Sequence, residues 1–163
     1  MNPDELERDI EKARKMIRKD MKRYINMLVE SLKNNGADVV ISKSPLNEVS
    51  KLETLTEDSM NEAENIVITI ADSVAADTGV IFFTGLDEGS VTGLAEHHIT
   101  IVDKDAIMPD ILFAFKLALW KSMKKEHGVV FASSSASKTA DIEGKVVWGA
   151  HGPRKFTVIL EGG

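Results

Sequence analysis

The feature that most constrains this chain is a series of short apolar runs separated by helical patterns. The runs are 37–42, 65–71, 80–84, 98–102, 129–132 and 156–160. Most are rich in valine and isoleucine, and each is shorter than an ordinary helix. Several are apolar at nearly every position rather than at alternate ones. A strand apolar on both sides must be covered on both sides, which is the arrangement of parallel sheets. The helical patterns between the runs supply that cover. The sequence therefore predicts an α/β fold, a mostly parallel sheet with helices on both faces.

The helices are read from spacing. Leu6, Ile10, Ala13, Ile17, Met21, Tyr24, Leu28 and Leu32 recur at steps of three or four, so residues 4–33 predict one long amphipathic helix ended by Asn34-Asn35-Gly36. At 1.5 Å per residue it would span roughly 45 Å, more than a domain of this size needs. Its protruding half is expected to pack against a second copy, giving a homodimer through the N-terminal helix. Arg14, Lys15, Arg18, Lys19, Lys22 and Arg23 alternate with acids and read as a solvated face. Pro45 opens a short helix near Leu46. A strong helix runs from about Pro109 to Glu126, with Ile111, Leu112, Phe115, Leu119 and Met123 expected inside. Residues 72–79 read as a short helical turn closed by Gly79. The organisation is a helix over 1–35 followed by an α/β domain over 36–163.

Composition narrows the functions. The 163 residues suffice for one full core, and no apolar run reaches membrane-spanning length. The acidic start lacks a secretory signature, so a soluble, cytoplasmic protein is expected. There is no cysteine, which rules out disulfides, thiol nucleophiles and cysteine-ligated clusters within these residues. A net charge of −6 argues against a nucleic-acid partner. No GxGxxG or P-loop pattern is present, so no nucleotide cofactor is expected. Adjacent His97 and His98 on a strand point to opposite faces, one expected inward and one exposed, and cannot easily share a metal. No metal site is expected.

The last third carries the candidate chemistry. A strand over 129–132 leads into Ser133-Ser134-Ser135-Ala136-Ser137, and Thr139 then reads as the N-cap of a helix holding Asp141 and Glu143 in its first turn. Hydroxyls and unpaired backbone N–H groups at such a loop suit an anion. The same acids can simply complement the helix dipole with no ligand. The turn Gly149-Ala-His151-Gly152-Pro153-Arg154 holds an imidazole and a guanidinium between glycines. His151 can serve acid–base chemistry there, or be a surface turn residue with Arg154 paired to Asp141 or Glu143.

These segments resemble a known family. Thr139-Ala-Asp-Ile-Glu143 with Gly149-Ala-His151-Gly-Pro-Arg154, preceded by Thr69-Ile-Ala-Asp72-Ser-Val-Ala-Ala-Asp77-Thr78-Gly79, is similar to the signature of the LUD (lactate-utilisation) domain family. The resemblance covers residues 36–161. It departs where the family has Gly-Pro-Ser before its Thr and Leu-Pro-Pro before its central His. It implies a fold like the NagB/RpiA/CoA-transferase superfamily. It also implies a non-redox role in oxidising L-lactate to pyruvate, with iron–sulfur proteins as partners and a small anionic metabolite as ligand. The expected catalytic residues are Asp141, Glu143 and His151. The expected ligand-binding residues are Asp77, Thr78, Gly79, Ser135, Ser137, Thr139, Gly152 and Arg154, gathered at one crevice. The alternative is a stand-alone enzyme on a phosphorylated sugar or CoA thioester, with Asp141 or Glu143 as base or nucleophile.

Overall fold

The structure is a computed structural model that describes residues 2–51, 66–84, 97–125, 130–135, 138–141, 145–148 and 155–162. For Phe131, Ser134, Ser135, 138–141 and 145–148 it describes the backbone alone. The elements in chain order are α1 (Pro3–Lys19), α2 (Met21–Asn34), β1 (Asp38–Ser42) and the helical residues 45–51, here α3. Then come β2 (Ile66–Ile70), β3 (Ser73–Ala75), β4 (Ile81–Thr84), β5 (His97–Val102), a 3-10 turn (Lys104–Ala106) and β6 (Ile107–Met108). Helix α4 (Ile111–Ser122) precedes β7 (Val130–Ser135), β8 (Lys138–Asp141), β9 (Lys145–Trp148) and β10 (Lys155–Glu161).

The expected parallel sheet is present, in the order β1-β10-β5-β2 with every pairing parallel. Phe156, Val158 and Leu160 of β10 face the core shared with Leu28 and Leu32 of α2. Ile159 faces the other way, with Ile99, Ile101 and Val49 of α3. Helices thus cover both faces, as continuous apolar runs require.

A second sheet, not foreseen in the sequence, runs β6-β3-β4-β7-β8-β9 and is mostly antiparallel. The chain passes from one sheet to the other within two residues: the Ala71 N–H donates to Ile101 O at 2.9 Å and the Asp72 N–H to Phe82 O at 3.0 Å. Ala75, Phe82 and Met108 of this sheet pack on α4, while Val74, Ile81, Phe83 and Ile107 join the α2 core. The sheet therefore lies between α4 and the parallel layer.

Three helical readings are corrected. Residues 4–33 form two helices, broken at Asp20 (φ −149°). Leu6, Ile10 and Ala13 are buried with Ala114, Leu117 and Ala118 of α4, and Tyr24, Leu28 and Leu32 are buried over the parallel sheet. One straight rod cannot serve both surfaces, and no glycine or proline at position 20 announces the bend. The stripe expected to face a second copy is covered within this chain. The fully buried face of α4 is Ala114, Leu117, Ala118 and Ser122; of the residues expected inside, Phe115 and Leu119 are partly buried against the same core, whereas Ile111, Leu112 and Met123 are exposed. That helix is apolar nearly all round, so periodicity does not choose a face. Small residues at steps of four let it sit close to the sheet. Residues 72–79 form β3 and the start of a hairpin rather than a helical turn. No helix among the described residues is long and apolar enough to cross a membrane.

Candidate functional site

Asp77, Thr78 and Gly79 occupy the tip of the β3–β4 hairpin, and the tip is docked on α2. Ser31 Oγ donates to the carbonyls of Ala76 and Asp77 at 3.0 Å, and Asn35 Nδ2 donates to Thr78 O at 2.8 Å. Gly79 takes φ +73° and closes the turn, its N–H donating to Ala75 O at 2.8 Å. A Cβ there would lie 2.8 Å from Asn35 Nδ2 and 3.1–3.2 Å from the backbone of Ser31 and Leu32. Gly36 also has positive φ, but a Cβ there meets nothing within 4 Å. Both Gly→Ala variants carry the left-handed backbone penalty, about 1–2 kcal/mol. Gly79→Ala is expected to cost roughly 1 kcal/mol more through lost docking. Urea unfolding of the two variants measures the difference, and equal losses would remove the docking argument.

Thr139 does not cap a helix. Lys138–Asp141 and Lys145–Trp148 are strands of an antiparallel meander, with Ser133 paired to Thr139, Phe131 to Asp141, and Asp141 to Lys145. Ser135 pairs with Lys138 across an irregularity in β7. The helix N-terminus that motivated an anion site is therefore absent from 138–141. The missed signal is a hairpin one: β-branched Thr139, Val146 and Val147 flank a short segment containing Gly144. Thr139 and Asp141 share the second sheet with the Asp77–Gly79 hairpin. Strand β8 is three steps from β3, roughly 14 Å at the usual strand spacing. Ser137, Glu143, His151, Gly152 and Arg154 lie outside the described residues.

Both strand histidines are buried, correcting the expectation that one is exposed; β5 lies inside the sheet with both faces covered. His97 Nε2 meets Thr157 Oγ1 at 2.8 Å, and His98 Nε2 meets Thr69 Oγ1 at 2.7 Å. The His98 ring packs against Phe83 and Phe156, with centroids 5.5 and 4.9 Å away. Burial, with a smaller contribution from His97, pushes the His98 pKa down to about 4. Among the described residues, no group of three or more His, Asp or Glu is placed to hold a metal ion.

A further polar cluster forms where β2 and β5 end, the position at which open α/β sheets bind ligands. Asp72 Oδ2 accepts from the Thr84 N–H at 2.6 Å and from Thr84 Oγ1 at 2.9 Å. Lys121 Nζ donates to Asp72 O at 2.6 Å, and Lys125 Nζ donates to Thr84 O at 2.7 Å while lying 3.8 Å from Asp72 Oδ1. Burial holds the Lys121 amine below the usual lysine range; Asp72 and Asp103 oppose that shift, and Arg14 and Lys125 reinforce it. Asp72 lies within the family-like motif, whereas Lys121 and Lys125, near the end of a helix, have the pattern of ordinary solvated charges.

These features define an α/β protein with a parallel sheet and a polar cluster at its strand ends. Residues 60–160 match the profile of the LUD domain, and the chain belongs to that family. It is 36% identical over 103 residues to Lactate utilization protein C 1 of Bacillus mycoides (strain KBAB4), covering 61% of this chain and 44% of that one. It is 33% identical over 104 residues to Lactate utilization protein C of Geobacillus sp. (strain WCH70), covering 61% and 43%. The match thus spans less than half the length of these relatives. The crystal structure of a DUF162 family protein from Deinococcus radiodurans superposes with a TM-score of 0.58 at 16% identity, covering 85% of this chain and 96% of that one. At that identity the likeness bears on the fold alone.

Proposed function

We propose that this chain is a cytoplasmic, non-redox component of lactate utilisation, supporting oxidation of L-lactate to pyruvate alongside iron–sulfur partner proteins. The observation that carries the reading is the LUD match over 60–160, together with relatives named for lactate utilisation. Oxidation of lactate to pyruvate releases two electrons and two protons, and the electrons need an acceptor. Such chemistry belongs to a cofactor, while protein groups bind and orient. These residues contain no cysteine to ligate a cluster and no glycine fingerprint for a flavin or nicotinamide. The electron carrier is therefore assigned to partners.

The expected result is that the purified chain is colourless and does not reduce a dye with L-lactate. Added to its iron–sulfur partners, it should raise dye-linked turnover. Turnover by the chain alone would sink the non-redox assignment, and no difference with and without the chain would sink the lactate role. Turnover of a sugar phosphate or acyl-CoA by the chain alone would favour a stand-alone enzyme instead.

A further inference from the structure

Helix α1 carries a second stripe, opposite the buried Leu6, Ile10, Ala13 and Ile17. Exposed Arg8, Lys12, Lys15 and Lys19 recur at steps of four, three and four and form one crest on the outward side. In the sequence these cations alternate with acids, but in the structure the acids are engaged elsewhere. Asp9 Oδ2 accepts a hydrogen bond from Lys116 Nζ of α4 at 2.9 Å, and Glu11 Oε1 accepts one from Arg18 Nη2 at 2.9 Å. Asp4, Glu7 and Glu11 share a concavity with Arg8, so the uncompensated part of the crest begins at Lys12. None of Lys12, Lys15 and Lys19 has an ion-pair partner among the described residues. Lys22 and Arg23, exposed just past the bend at Asp20, carry the charge on into α2. Residues 12–23 hold seven cations and one acid, a net of +6 in a chain of net −6, so the other residues together carry −12. Met16, 38% exposed, lies among Lys12, Lys15 and Lys19.

We propose that the crest from Lys12 to Arg23 docks this protein reversibly on an anionic lipid surface. Charge complementarity selects a polyanion, and the segregation of charge selects a flat one. The crest stands on the outer side of a helix whose opposite side is buried, so it meets a plane along its length, roughly 10 Å from Lys12 to Lys19. A bilayer touches that side alone. Salt at about 0.1 M screens charges beyond roughly 10 Å, so the acidic remainder of the molecule does not oppose the contact. A nucleic-acid duplex is held through many phosphates around its girth, which the same acidic remainder opposes. Lys and Arg clustered on one side of an amphipathic helix are a footprint of anionic lipid. Met16 adds an apolar side chain that reaches the headgroup boundary while the lysine stems extend to the phosphates. No helix among the described residues is long and apolar enough to cross a membrane, so the contact is peripheral. The assignment goes beyond the lactate reading and does not depend on it.

The test is cosedimentation of the full chain with vesicles of equal parts phosphatidylglycerol and phosphatidylcholine, and with vesicles of phosphatidylcholine alone, at about 0.1 M and about 1 M salt. Saturable binding to the anionic vesicles is expected at the lower salt, with none at the higher salt and none to the neutral vesicles. A cation close to an anionic surface is worth roughly fivefold in affinity, so Lys12→Gln, Lys15→Gln and Lys19→Gln combined should weaken binding roughly a hundredfold. Arg at the same three positions should bind like the parent, which separates charge from any loss of folding. Lys51→Gln, an exposed cation of α3 on the other face of the parallel sheet, should leave binding unchanged. No binding to anionic vesicles, equal binding to neutral ones, or parent-like binding by the triple Gln chain would each overturn the proposal. Tighter binding of a DNA duplex or of polyglutamate at matched charge would overturn it too, by assigning the crest to another polyanion.

Discussion

A chain that starts near Asn26 is expected not to fold cooperatively. The truncation removes α1 and the first turn of α2, all of it outside the LUD match that begins at residue 60. Leu6, Ile10 and Ile17 are at most 3% exposed, and Ala13 is fully covered. Burying a Leu or Ile side chain is worth about 1.5–3 kcal/mol, so the three larger residues alone represent roughly 5–9 kcal/mol. Domains of this kind are stable by about 5–15 kcal/mol in total. The truncation also bares Ala114, Leu117 and Ala118 on α4, a new apolar surface prone to association. Circular dichroism melts and light scattering would show loss of a sharp transition, or aggregation. A monomeric truncated chain as stable as the full one would show that α1 is dispensable.

Acid should weaken the fold through His98. Its pKa is about 4 in the folded protein against 6.5 when unperturbed, because the ring is buried. Between those values the unfolded chain binds the proton and the folded one does not. Stability therefore rises with pH across the window: the contribution is fully present above about pH 6.5 and lost as pH falls towards about 4. At 1.36 kcal/mol per pH unit the loss approaches about 3 kcal/mol. Thr69 donates to Thr100 Oγ1 at 3.0 Å, so Nε2 of His98 supplies the proton that Thr69 accepts. A glutamine can keep a donor there but does not titrate. Urea denaturation of the parent and His98→Gln at pH 7 and pH 4 separates this effect, since carboxylate titrations cancel in the comparison. The parent should lose about 3 kcal/mol more than the variant. Parallel losses would exclude His98 as the source.

Much of the fold was legible from local pattern. The runs at 37–42, 65–71, 80–84, 98–102 and 156–160 each became a strand within a residue or two of the predicted bounds. The end of α2 was legible because only a glycine readily takes φ +88° after Asn35. The family was legible because its two signatures are short and ordered. The site was less legible. Asp77 to Gly79 carry a family-like motif, yet in the structure they secure a hairpin to α2, a role that depends on Ser31 and Asn35 more than forty residues earlier.

Sequence by itself determined which residues must be buried in strands and that those strands need cover on both sides, because backbone pairing and side-chain alternation are local properties. Tertiary structure alone decided the bend at Asp20, since the two halves of one apolar stripe pack on different surfaces. It decided the face of α4, because a helix apolar all round takes its orientation from the small residues that fit a neighbour. It turned the Thr139 segment into a strand by giving β7 and β9 to pair with it. It also brought Asp72, Thr84, Lys121 and Lys125 together, a cluster with no spacing to read, because its members meet only when α4 packs on the β3–β4 hairpin.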